Sequence, residues 1–327
     1  MRRREFVTLI GGATVATTFS AHAQQAGVPV VALIRDGSAD TAARYVAAFR
    51  KGLNETGYVE GQNVNVEYHW LEGRYDRLPA LLADLVRRQV TVIATPGQVP
   101  SIAAKAAVAT VPIVFGVGDD PVQLGLVTSL ARPGGNATGI NFFVQEVGAK
   151  RLRLLHDLIP NAVRIAVLVN PMNAAVETTT LREVQEAAPA LGLQIQVLKA
   201  STIGEIDAAF ANIARERPDA LFVAGDAFFL DRRVQFATLT ARDRIPASYS
   251  VREAVAAGGL MSYGPDLAEV FRQIGVYTAS ILKGAKPADL PVLQSTKFEF
   301  IINLTTSKAL GLTIPASFLS LADELIE

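Results

Sequence analysis

The chain has 327 residues, half of them hydrophobic, with 31 basic and 31 acidic side chains, no cysteine and three histidines. That length suits about two domains with large cores, and the balanced, scattered charge lacks the clustered Lys and Arg that neutralise phosphates, so no nucleic-acid partner is expected. Without cysteine there is no disulfide, thiolate metal site, thiol nucleophile or lipid-modified N-terminal Cys, and His22, His69 and His156 stand too far apart to pair as metal ligands.

The first residues read as an address. Arg2-Arg3-Arg4-Glu5-Phe6 is a positive cluster, 7–20 is a short apolar run, and Ala21-His22-Ala23-Gln24 has the small-x-small pattern of a cleavage site. A signal peptide over 1–23, cleaved near Ala23, is therefore expected. Arg3-Arg4-x-Phe6 resembles a twin-arginine signal, and Gly11-Gly12 weakens the apolar run in keeping with that route. The run is too short and interrupted for a spanning anchor. The expected product is a periplasmic protein with no membrane insertion after cleavage.

From residue 28 the chain repeats one unit: a short β-branched run, a polar or Gly turn, then an amphipathic helix. Residues 29–34 form a near-continuous apolar strand, and the helix that follows places Tyr45, Val46, Phe49 and Leu53 at spacings of three and four. The cycle recurs as strand 64–68 with helix 78–88, strand 90–94 with helix 101–109, and strand 111–117 with helix 123–130. A second series runs through strand 163–169, helix 175–191, strand 194–198, helix 206–215, strand 220–223 and helix 232–242. Helix 267–283, strand 298–303 and helix 306–310 close the chain. Alternating strand and helix predict an α/β fold with parallel sheets covered by helices.

Two series beginning with buried strands predict two lobes. Pro133-Gly134-Gly135-Asn136 and Gly139 break the pattern near 132–144, and Gly258-Gly259 with Gly264-Pro265 break it near 257–265. The expected division is 1–23 as signal, 28–140 with about 264–292 as the first lobe, and about 141–263 with about 293–327 as the second.

Parallel sheets bind ligands outside the carboxyl ends of their strands. There this chain carries Asp36-Gly37-Ser38, Thr95-Pro96-Gly97-Gln98, Gly118-Asp119-Asp120, Asn170-Pro171-Met172-Asn173, Gly225-Asp226 and Ser248-Tyr249-Ser250. Asp119 and Asp226 suit a cationic amine, while Gly97 and Gln98 let backbone N–H groups approach an anion. Tyr249, Phe228 and Phe229 are candidate apolar walls. Individually, Asp36, Ser38 and Ser101 also read as helix caps, and Gly37, Gly97 and Gly118 as turn residues.

Enzyme motifs are missing. Gly116-x-Gly118 is followed by Asp119, Asp120 and Pro121, and a carboxylate pair would repel a pyrophosphate. There is neither a P-loop nor a G-x-S-x-G elbow. No cofactor and no metal are expected, and His156, between Leu152, Leu155 and Ile159 on one helix face, reads as structural.

Several blocks then carry a resemblance: Gly57-Tyr58-Val59-Glu60-Gly61-Gln62-Asn63-Val64, Tyr75-Asp76-Arg77-Leu78-Pro79-Ala80-Leu81, Arg132-Pro133-Gly134-Gly135-Asn136-Ala137-Thr138-Gly139, Ala257-Gly258-Gly259-Leu260-Met261-Ser262-Tyr263-Gly264 and Lys286-Pro287-Ala288-Asp289-Leu290-Pro291-Val292. Together with the opening Met1-Arg2-Arg3-Arg4-Glu5-Phe6, they make the chain resemble the ABC-transporter substrate-binding family that includes tryptophan- and tyrosine-binding proteins. The resemblance implies a type 1 periplasmic-binding fold, with two Rossmann-like lobes and three hinge crossings. It also implies a small carboxylate-bearing ligand, an amino acid and in some members an aromatic one, passed to a membrane permease driven by a separate ATPase. Carried over residue by residue, it marks Ser38, Thr95, Gly97, Gln98 and Asp119 in the first lobe, and Asn170, Asp226 and Tyr249 in the second. One position departs: Asp226 is followed by Ala227, where aromatic-amino-acid binders carry Asn. A periplasmic sensing partner of a receptor, or a Rossmann-like enzyme, are the alternative readings.

Overall fold

A computed structural model describes residues 27–142, 147–295 and 297–327. The expected signal peptide at 1–23 lies outside the described residues.

The first half alternates strand and helix: β1 (Val30–Arg35), α1 (Ala43–Glu55), β2 (Asn65–Trp70), α2 (Leu78–Arg87), β3 (Val92–Pro96), α3 (Gln98–Ala107), β4 (Ile113–Val117) and β5 (Ala137–Asn141). The second half continues as α4 (Val147–Leu158), β6 (Arg164–Val169), α5 (Ala174–Ala187), β7 (Gln194–Lys199), α6 (Ile203–Glu216), β8 (Ala220–Val223), α7 (Ala227–Asp231), α8 (Arg233–Arg242), β9 (Ala247–Tyr249), α9 (Arg252–Ala256) and β10 (Met261–Pro265). The chain ends with α10 (Leu267–Leu282), β11 (Leu293–Gln294), β12 (Phe298–Asn303), α11 (Leu304–Leu310), α12 (Ala316–Leu321) and β13 (Glu324–Ile326).

Two sheets result, ordered β11-β5-β4-β3-β1-β2 and β13-β12-β10-β9-β8-β6-β7. The first is parallel throughout, and in the second only β10 and β12 run antiparallel. The α/β architecture with two mostly parallel sheets is the expected one. The chain passes between sheets after β5, after β10 and between β11 and β12. The last passage falls beyond Gln294, slightly later than the turn chemistry suggested.

Each sheet is buried on both faces, which explains the near-continuous apolar strands. In β1, Ala32 and Ile34 pack towards α2 and α3, while Val31 and Leu33 pack towards α1 and α10. β6 alternates likewise, with Ile165, Val167 and Val169 on one core and Ala166 and Leu168 on the other. Helices α1 and α10 cross so closely that a Cβ at Gly52 would lie 2.0 Å from the Arg272 carbonyl oxygen, and one at Gly275 would lie 2.2 Å from that of Phe49. These two glycines let α10 return to the first lobe and close it.

The helix expected over 123–130 is absent. Pro121 lacks an N–H, and Gly125 adopts a left-handed φ of 71°, so the segment folds as turns that tuck Leu126 and Val127 into the core. Among the described residues no helix is long and apolar enough to cross a membrane.

Candidate functional site

In each sheet the strand order reverses beside the first strand, and the loops at that point face the other lobe. In the first sheet the reversal lies between β1 and β3, which end at Asp36 and Gly97. In the second it lies between β6 and β8, which lead into Asn170 and Asp226. Between the two edges is a cavity of about 190 Å³ lined by Asp36, Gly97, Gln98 and Asp119 from the first lobe, and Asn173, Thr179, Gly225 and Asp226 from the second. Its apolar walls include Phe142, Leu230, Val270 and Phe271. This volume is below the roughly 300–1,000 Å³ of pockets for drug-sized ligands, so it fits a small solute.

Bonds between the lobes hold the cavity shut. The Asp231 carboxylate, at the end of α7, accepts from the Ser38 backbone N–H at 2.9 Å and from the Thr41 hydroxyl. Arg44 Nη1 meets Glu253 Oε1 at 2.9 Å. Thr179 Oγ1 donates to Asp119 Oδ1 at 3.3 Å, while Gln98 Nε2 donates to Asp119 Oδ2 at 3.0 Å.

The start of α3 and two carboxylates meet at the cavity. Gly97 precedes α3 without any side-chain cap, and Pro100 has no N–H, so the Gln98 and Val99 N–H groups are the ones a carboxylate beside this helix start could use. Gly97 also approaches the Asp36 carboxylate, because a Cβ there would stand 2.8 Å from Asp36 Oδ2. Any side chain would fill the space. Asp36 itself is only 8 % exposed, and its Oδ1 has no hydrogen-bond partner. Burial first, and the Asp226 carboxylate second, push its pKa up to about 7, against the opposing pull of Arg35.

Asp226 is differently placed. It accepts from Asn170 Nδ2 at 2.9 Å, Asn173 Nδ2 at 3.1 Å and the Phe228 backbone N–H at 2.9 Å. Burial raises its pKa, and these donors work against that rise. Arg35 stacks 4.9 Å from the Tyr45 ring centroid and 5.9 Å from that of Phe271, which keeps its guanidinium against the wall. Arg151 enters from α4, lies 3.8 Å over the Phe222 ring and donates to the Val223 carbonyl at 2.9 Å. Burial lowers its pKa to about 9, while the nearby Glu183 carboxylate works to raise it.

Of the residues marked by sequence, Gly97, Gln98, Asp119 and Asp226 line the cavity, and Asn170 stands behind Asp226 and orients it. Asp119 is engaged by Gln98 and Thr179, so here it ties the lobes together. Three residues are placed elsewhere. Thr95 is fully buried beneath the loop, accepting from Ser101 Oγ at 3.0 Å. Ser38 sits at the rim with Asp231. Tyr249 points into the second-lobe core with Phe229 and Phe236, because β9 is covered on both faces and its alternation turns this ring away from the cleft. Phe228 lies under the Arg232 guanidinium, 3.7 Å from its ring centroid, and is likewise no cavity wall.

Sequence reasoning passed over Asp36 as a site residue, and it missed Arg35, Arg151, Asn173 and Glu183. For Asp36 and Asn173 the signal was present, since both lie in the loops already singled out. Arg151 and Glu183 carry no such mark, being charged residues inside amphipathic helices. Among the described residues no group of three or more His, Asp or Glu could hold a metal ion.

Residues 10–326 match the family described as ABC transporter substrate binding protein. A tyrosine-binding protein of Clostridioides difficile is 25% identical over 291 residues, covering 88% of this chain and 82% of that one. Two crystal structures share the fold at 24% identity, each covering 91% of this chain and 99% of its own. One is a conserved domain protein from Vibrio cholerae, with a TM-score of 0.82. The other is an ABC domain from Streptococcus pneumoniae in complex with L-Trp, with a TM-score of 0.81.

Proposed function

The chain belongs to the ABC transporter substrate-binding protein family, and from that premise we propose that it captures an amino acid outside the cytoplasm and delivers it to a membrane permease driven by a separate ATPase. The observation that carries this reading is the adjacency of the two charged subsites. An α-amino acid bears its carboxylate and ammonium on one carbon, and here the open N-terminus of α3 adjoins the Asp36 and Asp226 carboxylates. Phe142, Phe271, Leu230 and Val270 leave an apolar compartment for the side chain. The relatives that bind tyrosine and L-Trp support an aromatic or large apolar one. Ala227 lines the same cavity, so specificity rests on shape there rather than on an amide.

Capture works by closure. A ligand held by both lobes has contacts in the closed form that the open form lacks, and this difference shifts the equilibrium. A thermal-shift screen of the purified protein against amino acids and their deamino and decarboxy analogues tests the assignment, since a ligand that binds only the folded state raises Tm by mass action. Amino acids should give a concentration-dependent rise that neither class of analogue matches. A response only to sugars or to dicarboxylates would refute the amino-acid assignment.

The cross-lobe bonds predict a second result. Asp231→Ala removes both bonds to Ser38 and Thr41 without touching the cavity. It should shift the open-to-closed ratio by a factor of roughly 10–100, from about 1.5–3 kcal/mol for a hydrogen bond to a charged group. Small-angle scattering of the ligand-free protein should then show a larger radius of gyration. An unchanged radius would mean that Asp231 does not hold the lobes together.

A further inference from the structure

We propose that the ligand's cationic group displaces a proton that Asp36 holds in the same cavity as the Asp226 carboxylate, so that capture is an exchange of a proton for a cation. The proposal rests on the amino-acid reading of the site and adds its proton chemistry.

Three observations meet here. The two carboxylates come from opposite lobes, one after β1 and the other after β8, and both line one closed cavity. Asp226 is held by two amide donors and a backbone N–H, all of which favour its ionised form. Asp36, nine-tenths buried, lines the same cavity, and its Oδ1 has no hydrogen-bond partner. The Asp226 charge acts on Asp36 within one buried cavity, and two such carboxylates resist ionising together, so the proton resides on Asp36.

The charged and titratable neighbours are few. Arg35, on the same strand, is the cation that acts on Asp36, and it is shared with Asp231 and stacked between two rings. Arg232, just after α7, acts electrostatically on Asp226. The Tyr75 hydroxyl faces both carboxylates, and burial with their charges raises its pKa, so it stays neutral. Arg35 and Arg151 line the same cavity, with their guanidiniums held against the Tyr45 and Phe271 rings and the Phe222 ring, and Glu183 is the carboxylate that acts on Arg151. Burial and the Asp226 charge outweigh Arg35, and Asp36 titrates near neutrality, at about 7.

The exchange balances. A protonated Asp36 and an ammonium ligand enter; an Asp36 carboxylate bridged to that ammonium remains, and one proton leaves to solvent. The charge of the site is unchanged by capture below neutrality. Affinity should therefore be constant at alkaline pH and weaken about tenfold per pH unit as pH falls below the Asp36 pKa.

The test is isothermal titration calorimetry with L-tryptophan, tryptamine and indole-3-propionate between pH 5.5 and 8.5, each in two buffers of different ionisation heat. L-Tryptophan and tryptamine should release close to one proton at pH 6 and about none at pH 8.5, while indole-3-propionate, without the ammonium, should release none. Asp36→Asn should abolish both the proton release and the pH dependence, and weaken L-tryptophan binding at pH 8 by about 10–100-fold. Carbon-13 NMR of the ligand-free wild type gives an independent readout that needs no variant: one aspartate carboxyl should titrate near 7.

Amine binding with no proton release and no change in affinity across this range would overturn the exchange while leaving the amino-acid reading standing. No binding of either amine at any pH would overturn both. A ligand-free protein in which every aspartate titrates below 5 would overturn the Asp36 proton directly.

Discussion

Replacing Asp226 with Ala should weaken ligand binding at least about thirtyfold while leaving the fold largely intact. The carboxylate faces Asp36 across the cavity and is held in place by Asn170, Asn173 and the Phe228 N–H. Truncating one partner of a buried, hydrogen-bonded charge pair costs about 2–5 kcal/mol of binding, equivalent to roughly 30- to 5,000-fold. Part of that loss comes from the two asparagine amides, which would be left pointing at the ligand's cation. The fold should lose only about 0.5–2 kcal/mol, as for other N-caps, because Asp226 caps the short α7. Calorimetry for affinity and urea unfolding for stability separate the two effects. Affinity within threefold of wild type would remove Asp226 from the site.

The largest effect on stability is expected at Arg151. This side chain is 3 % exposed, lies over Phe222 and donates to the Val223 carbonyl, and Glu183 acts on it electrostatically. Arg151→Ala takes a counter-charge from beside Glu183 and leaves a gap under Phe222. Loss of a buried, hydrogen-bonded charged side chain with its packing costs about 3–5 kcal/mol. Arg151→Met restores most of the volume but none of the charge, so it should recover only part of the loss. Combining it with Glu183→Gln should recover more, since the unbalanced carboxylate is then gone. Urea unfolding of the three variants decides the matter. A loss below about 1 kcal/mol in Arg151→Ala would show that neither the charge nor the packing of the guanidinium contributes much; equal stability of Arg151→Met and wild type would show that packing alone matters.

The two acidic residues chosen from sequence illustrate what loop chemistry reveals and where it stops. Asp119 and Asp226 were selected for the same reason: each follows a buried strand in a Gly-containing turn. Both reached the cavity. Asp226 keeps its carboxylate facing the space between the lobes, whereas Asp119 is taken up by Gln98 and Thr179. Thr179 lies sixty residues away on α5, and no local pattern places it opposite Asp119. Tyr249 shows the opposite failure. It occupies the expected strand end, but the alternation of β9 sends its ring into the core.

Sequence alone determined the strand–helix alternation, the parallel sheets and the two-lobed organisation. These depend on local periodicity and on turn residues such as Gly97, whose signals lie within a few positions of one another. Family membership was legible for the same reason, because its motifs are contiguous blocks. Tertiary structure alone decided which loop residues face each other. The pairing of Asp36 with Asp226 joins positions 190 residues apart in the chain, and it exists only because two separately folded sheets present their carboxyl ends to one closed space. Burial and charge coupling, which shift a carboxyl to near neutrality, are properties of that shared space and of neither segment by itself.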